Sequence, residues 1–222
     1  MERLLRIPLN ATPQQFERLR SLQVAFAEVC NAIAPVVQRT RCWNRVALHH
    51  LVYRGMRERF PALGSQMICN AVYSVSRNAR LVLQHPASPW NVNKHFEAPL
   101  PLLRFSPSAP VYFDRHTLSL KGSTLSMFTL DGRLRFNLHL APADAARFHE
   151  EKLLELVLLA TAGGFELDFR FAGPDSAGDV EAMSSKGLLP EYVLVIPPET
   201  APSLPPPDQP PPHDAPGELA AR

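Results

Sequence analysis

The chain has 222 residues, 45% of them hydrophobic and 20% charged, which suits one large globular domain or two small ones. Its net charge of +2 is unevenly spread: residues 1–96 hold 13 Lys+Arg against 4 Asp+Glu, and residues 97–222 hold 10 against 17. No apolar run is long enough to span a bilayer, "MERLLRIPLN" lacks the apolar stretch of a signal peptide, and three widely spaced cysteines (Cys30, Cys42, Cys69) argue against a disulfide framework or a cysteine zinc site. The expected setting is reducing and cytoplasmic, with no membrane partner.

A basic half beside an acidic half points to a polyanion partner for the first. Lysine occurs only at 94, 121, 152 and 186, so arginine carries most of the positive charge. Arginine suits bidentate phosphate contacts and stacking on bases, although a GC-rich genome produces the same bias.

"LLRIPL" reads as a short strand. Thr12 caps a following helix, with Pro13 at its first position and Gln15 completing a capping box. Phe16, Leu19, Leu22, Phe26, Val29 and Ile33 keep helical spacing, and an end is expected near Pro35. A second helix starts near Asn44, buries Leu48, Leu51, Val52, Met56 and Phe60, and stops at Pro61. His50, Arg54 and Arg57 lie on another of its faces. Ser65 is the expected cap of a third helix with Ile68, Ala71, Val72, Val75, Ala79 and Val82 as its buried stripe. Its other side carries Tyr73, Arg77, Arg80 and Gln84 with no acid among them. That face is either solvated or a groove for nucleic acid; burial is not expected, because unpaired buried arginines are costly.

Near residue 95 the hydrophobic period changes to two. "VYFDRHTLSL" and "STLSMFTL" read as strands, and Asp131-Gly132 reads as a type I′ hairpin turn. In the next arm Leu134, Phe136, Leu138 and Leu140 point one way, while Arg133, Arg135, Asn137 and His139 point the other. This alternation predicts a sheet with one wet, mildly basic face. A helix is expected from about Asp144 to Ala162, with Glu150, Glu151, Lys152 and Glu155 on its solvated side. "FELDFRFA" and "YVLVI" are two further strands. The proline-rich residues 198–222 are expected to be disordered or locally polyproline II, a tail or linker that could also serve as a ligand for a partner.

No phosphate-binding glycine loop, dinucleotide fingerprint or nucleophile elbow occurs. His49 and His50 are adjacent and so do not share a helix face. His85, His95 and His116 are scattered. Asp114 is expected to pair locally with Arg115. Glu166 and Asp168 alternate on one strand face, and the structural reading of that pair outweighs a metal-binding one. No catalytic residue, metal site or cofactor is expected.

The order of the pieces is informative. The capped helix "TPQQFERLRSL" precedes "LHHLVYRGMRERFPALGSQM", then "AVYSVSRNAR", then "FDRHTLSL" and "FTLDGRLRF". This resembles the N-terminal part of TnpB-type transposon-encoded RNA-guided nucleases, which are related to type V CRISPR effectors, over about residues 1–197. The helix–"FPxLxSQ"–helix step is the most specific match.

The resemblance implies an α+β architecture: a small antiparallel wedge-like β-barrel from residues 1–11 and 95–197, and a three-helix recognition-like lobe from 12–94. It implies guide RNA or an RNA–DNA hybrid as partner, held by backbone and shape. Arg54, Arg57, Tyr73, Arg77 and Arg80, with Arg133 and Arg135, are the candidate contacts. The departure is large, because nothing here matches the family's RuvC carboxylates or zinc-ribbon cysteines. The chain is therefore expected to bind and not cut, with any nuclease acting in trans. The alternatives are a transposase remnant, or a non-catalytic interaction protein that recruits a partner through its proline-rich tail.

Overall fold

A computed structural model describes residues 3–94, 96–172 and 190–198. The strand β1 (Arg3–Leu9) leads into three helices: α1 (Pro13–Thr40), α2 (Arg45–Arg59) and α3 (Gly64–Gln84). Five short strands follow: β2 (Leu102–Phe105), β3 (Val111–Phe113), β4 (Leu118–Lys121), β5 (Thr124–Thr129) and β6 (Gly132–Asn137). Then come α4 (Pro142–Glu150), β7 (Leu153–Thr161), β8 (Gly164–Phe171) and β9 (Val193–Ile196). The fold is mixed helix and sheet, and among the described residues every strand pairing is antiparallel. The expectation for the proline-rich tail falls outside the described residues.

α1 starts as its sequence dictates. Thr12 accepts from the Gln15 N–H, and Gln15 Oε1 accepts from the Thr12 N–H at 2.9 Å. Its end differs from expectation: the helix continues through Pro35 to Thr40, and Arg41 closes it in the left-handed region at φ 54°. A proline inside a helix costs about 3 kcal/mol. Ile33, Ala34 and Val37, all buried, flank it on one face; burying Ile33 and Val37 at about 1.5–3 kcal/mol each offsets that cost.

Asn44 caps α2 through the Val46 and Ala47 amides. Leu48 and Val52 are buried, but Leu51 lies exposed against expectation. α3 lacks the expected Ser65 cap, because a single 3-10 turn at Pro61–Leu63 runs directly into Gly64. The whole predicted stripe from Ile68 to Val82 is buried, and so are Asn70, Ser74, Ser76 and Asn78 on other sides. α3 is thus central, packed on α1, α2 and β3.

The expected barrel is not closed. Among the described residues the strands form three sheets, in the orders β1-β8-β7-β3, β2-β9 and β4-β5-β6. The first strand does pair with a late one, from Arg3↔Phe171 to Leu9↔Phe165. Closure would need a long strand beside β7, but β3 spans only three residues. Asp114 ends it by accepting the His116 and Thr117 amides in a turn. Packing by α1 and α3 against the strands then covers apolar surface that an opposite barrel wall would cover. α1 also completes β2: Asn31 donates to the Phe105 carbonyl at 2.9 Å and accepts its amide at 2.7 Å, and Gln23 and Gln38 donate to the Ser108, Ala109 and Leu100 carbonyls.

Two further expectations are corrected. The β5–β6 turn is not type I′: its central residues Leu130 and Asp131 have negative φ, and Gly132 alone takes the positive value, 92°. The helix expected to reach Ala162 ends at Glu150, and Leu153–Thr161 is the strand β7. "LLELVLLAT" is a continuous apolar run whose period decides nothing. Pairing with β3 on one side and β8 on the other makes it a buried strand.

Candidate nucleic-acid interface

Two regions gather the sequence-derived candidates, and they have opposite character. The first is an enclosed ionic cluster between α3 and the four-stranded sheet. Glu155, on β7 and not on a solvated helix as expected, is nearly buried. Tyr73 Oη donates to its Oε1 at 2.8 Å. Arg77 Nε lies 3.4 Å from the same oxygen, and Arg170 Nε lies 3.5 Å from Oε2. The Tyr112 ring sits edge-on to Tyr73 at 5.3 Å, and Arg77 also donates to the Tyr112 hydroxyl at 3.5 Å.

The acid-free face of α3 therefore does not open to solvent at Tyr73 and Arg77. The expectation against burial assumed unpaired arginines; the partner is a carboxylate far along the chain, which helical spacing cannot reveal. Burial, reinforced by the Glu155 charge, pushes the Tyr73 hydroxyl up to about 12. Tyr112 rises well above its ordinary value, again chiefly through burial. Arg45, which sequence reasoning left aside, stacks its guanidinium 5.0 Å above the Tyr73 ring.

The remaining helical candidates are dispersed. Arg54 is almost fully exposed and pairs with Glu58 at 3.1 Å, one turn along α2. Arg57 is half-buried, with one guanidinium nitrogen enclosed and lacking a hydrogen-bond partner. Arg80 is half-buried on α3.

The second region is the outward face of the sheet β4-β5-β6, where the predicted alternation holds. Leu134, Phe136 and Leu138 are buried, while Arg133, Arg135, Asn137 and His139 are exposed. Cross-strand register sets Arg133 opposite Phe128, Arg135 opposite Ser126 and Ser119, and Asn137 opposite Thr124 and Lys121. No position on this face is acidic. Arg133 is fixed by donating to Ser126 Oγ at 2.8 Å, to the Ser126 carbonyl at 2.7 Å and to the His116 carbonyl at 3.4 Å. Arg115 and His116 extend the basic surface past β4, and with Lys121 they were not among the candidates. Two acids border it: Asp114, turned to Gln66 and the His116 and Thr117 amides, and Asp131, at the hairpin turn 3.9 Å from Arg18.

No protein-family model matches this chain, and no curated protein does.

Glu166 and Asp168 serve structure. Arg6 on β1 reaches both, with Nε 2.8 Å and Nη2 3.0 Å from the Asp168 oxygens and Nε 3.5 Å from Glu166. Among the described residues no group of three His, Cys, Asp or Glu side chains is placed to hold a metal ion. Among them, too, no helix is long and apolar enough to cross a membrane.

Proposed function

We propose that this chain is a TnpB-like nucleic-acid-binding protein without nuclease chemistry, holding a guide-type RNA or an RNA–DNA hybrid. The observation that carries this reading is the exposed, acid-free face bearing Lys121, Arg133 and Arg135. Arg133 is held in place by three hydrogen bonds, so it meets a phosphate with little further ordering cost. In this reading the three sheets are an opened wedge domain and α1–α3 are the recognition lobe. Strand cleavage falls to a nuclease acting in trans, and the setting is cytoplasmic. Arg54 and Arg57 add peripheral phosphate contacts, whereas Tyr73 and Arg77 hold the lobe on the sheet.

The test is a salt titration of binding to structured RNA and to an RNA–DNA hybrid. Replacing Arg133 and Arg135 by alanine should flatten the slope of log affinity against log salt by up to about two units, at ~0.7–0.9 per phosphate contact. An unchanged slope with intact folding refutes the assignment. A second reading, a protein-interaction module, draws on the exposed Val46 and Leu51 of α2. It predicts salt-insensitive partner binding that is lost on replacing Leu51 with a charged residue.

A further inference from the structure

A cleft of about 840 Å³ opens between the outer edge of β4, the first residues of β7 and α4. It exists because the sheets do not close. Among the described residues β4 is an end strand, and β3 covers β7 only from Leu156 to Leu158, so there Leu153–Glu155 have no strand partner on that side. Leu120, Leu154 and Phe148 give the cleft an apolar interior, and its size lies within the range of small-ligand sites.

Its polar groups are unequally occupied. Both carboxylates that line it are already satisfied. Asp114 accepts from Gln66, from the His116 and Thr117 amides and from the Thr117 hydroxyl. Glu155 is held by Tyr73, Arg77 and Arg170. Arg115, His116 and His149 line the cleft with exposed side chains, Arg115 donating through Nε to His116 Nε2 at 3.4 Å and keeping its terminal guanidinium nitrogens outward. The lining therefore favours an occupant with a negative charge outside and a flat or apolar body inside.

The cleft is also continuous with the basic face. Arg133 donates to the carbonyl of His116 and to Ser126; Ser126 lies opposite Ser119, and both His116 and Ser119 line the cleft. A strand of nucleic acid tracking Arg135, Arg133 and Arg115 by its phosphates would pass the mouth.

We infer that the cleft receives one unpaired base of a single-stranded segment of the bound nucleic acid. This rests on the nucleic-acid reading above. A base presents an apolar face to Leu120 and Phe148 and a hydrogen-bonding edge to Ser119 and the open edge of β4. A saturated chain would leave those polar groups unused. Stacking of a single base is tolerant of sequence, so the site favours unpaired over paired strands more than one base over another.

The experiment uses the full chain and oligonucleotides carrying one 2-aminopurine, either single-stranded or in a duplex. The single strand should bind about tenfold or more tighter than the duplex, the scale of one stacked base. Its 2-aminopurine fluorescence should change at saturation. A145W, which fills the cleft from α4, should abolish both effects while leaving the salt slope intact; A145F, a smaller filling of the same position, serves if A145W does not fold. An unchanged fluorescence at saturation, or a change that survives the cleft-filling variant, overturns the inference alone. Failure to bind any oligonucleotide overturns the nucleic-acid reading with it. Dodecanoate binding tighter than the oligonucleotide, and lost in A145W, would reassign the cleft to an amphiphilic anion.

Discussion

The Arg77 guanidinium on α3 and the Glu155 carboxylate on β7 meet 3.4 Å apart where the helices pack on the sheet. Both side chains are largely enclosed, at 19% and 7% exposure. Removing one partner therefore leaves the other charge poorly solvated. E155A should lower unfolding free energy by about 3–5 kcal/mol in chemical denaturation. R77A should destabilise as well, yet leave the salt dependence of nucleic-acid binding unchanged, the reverse of R133A/R135A. A loss below about 1 kcal/mol for E155A would show that the cluster is not coupled to folding.

Alkaline stability provides a separate check on the same cluster. Tyr73 stays protonated in the folded state up to about 12, against an ordinary value of 10.0, with burial as the leading cause and Glu155 adding to it. A raised folded value means that the folded chain binds the proton more tightly than the unfolded chain. Its contribution is complete below about pH 10 and is lost as pH rises towards 12. Y73F, which cannot ionise, should show a shallower decline over that window than the parent chain. Parallel curves would place the Tyr73 hydroxyl in water.

Cysteine reactivity reads the helical core. Cys30 is fully buried in α1, and burial pushes its thiol up to about 12. At pH 8 a thiol reagent should leave Cys30 unmodified until the chain unfolds, while the partly exposed Cys42 reacts in the native state. Native-state labelling of Cys30, mapped by peptide mass, would contradict the placement of α1.

Asn31 tests how a helix replaces a missing strand. Its side chain bonds both backbone groups of Phe105. Asn31→Leu leaves an amide and a carbonyl unpaired, each at about 1–3 kcal/mol when enclosed. The expected loss is about 2–4 kcal/mol by thermal or denaturant unfolding. A neutral or stabilising result would mean that water reaches those groups.

The sequence by itself determined what depends on near neighbours. The Thr12–Gln15 capping box, the helix start near Asn44, the Ile68–Val82 stripe and the in-out alternation of Arg133–Leu138 all follow from spacings of two to four residues. Helix and strand periods convert such spacings directly into faces. Local pattern failed where one period fits two structures, as in "LLELVLLAT", and where long-range burial outweighed a local penalty, as at Pro35. The fate of the α3 arginines was beyond its reach. Whether Arg77 meets phosphate, water or a carboxylate depends on which strand the chain lays beside α3. Only the tertiary structure brings Glu155 and Arg170 there, through β3–β7 and β7–β8 pairing. The cleft has the same origin: it is a gap between sheets, and a gap has no residues of its own for a sequence to record.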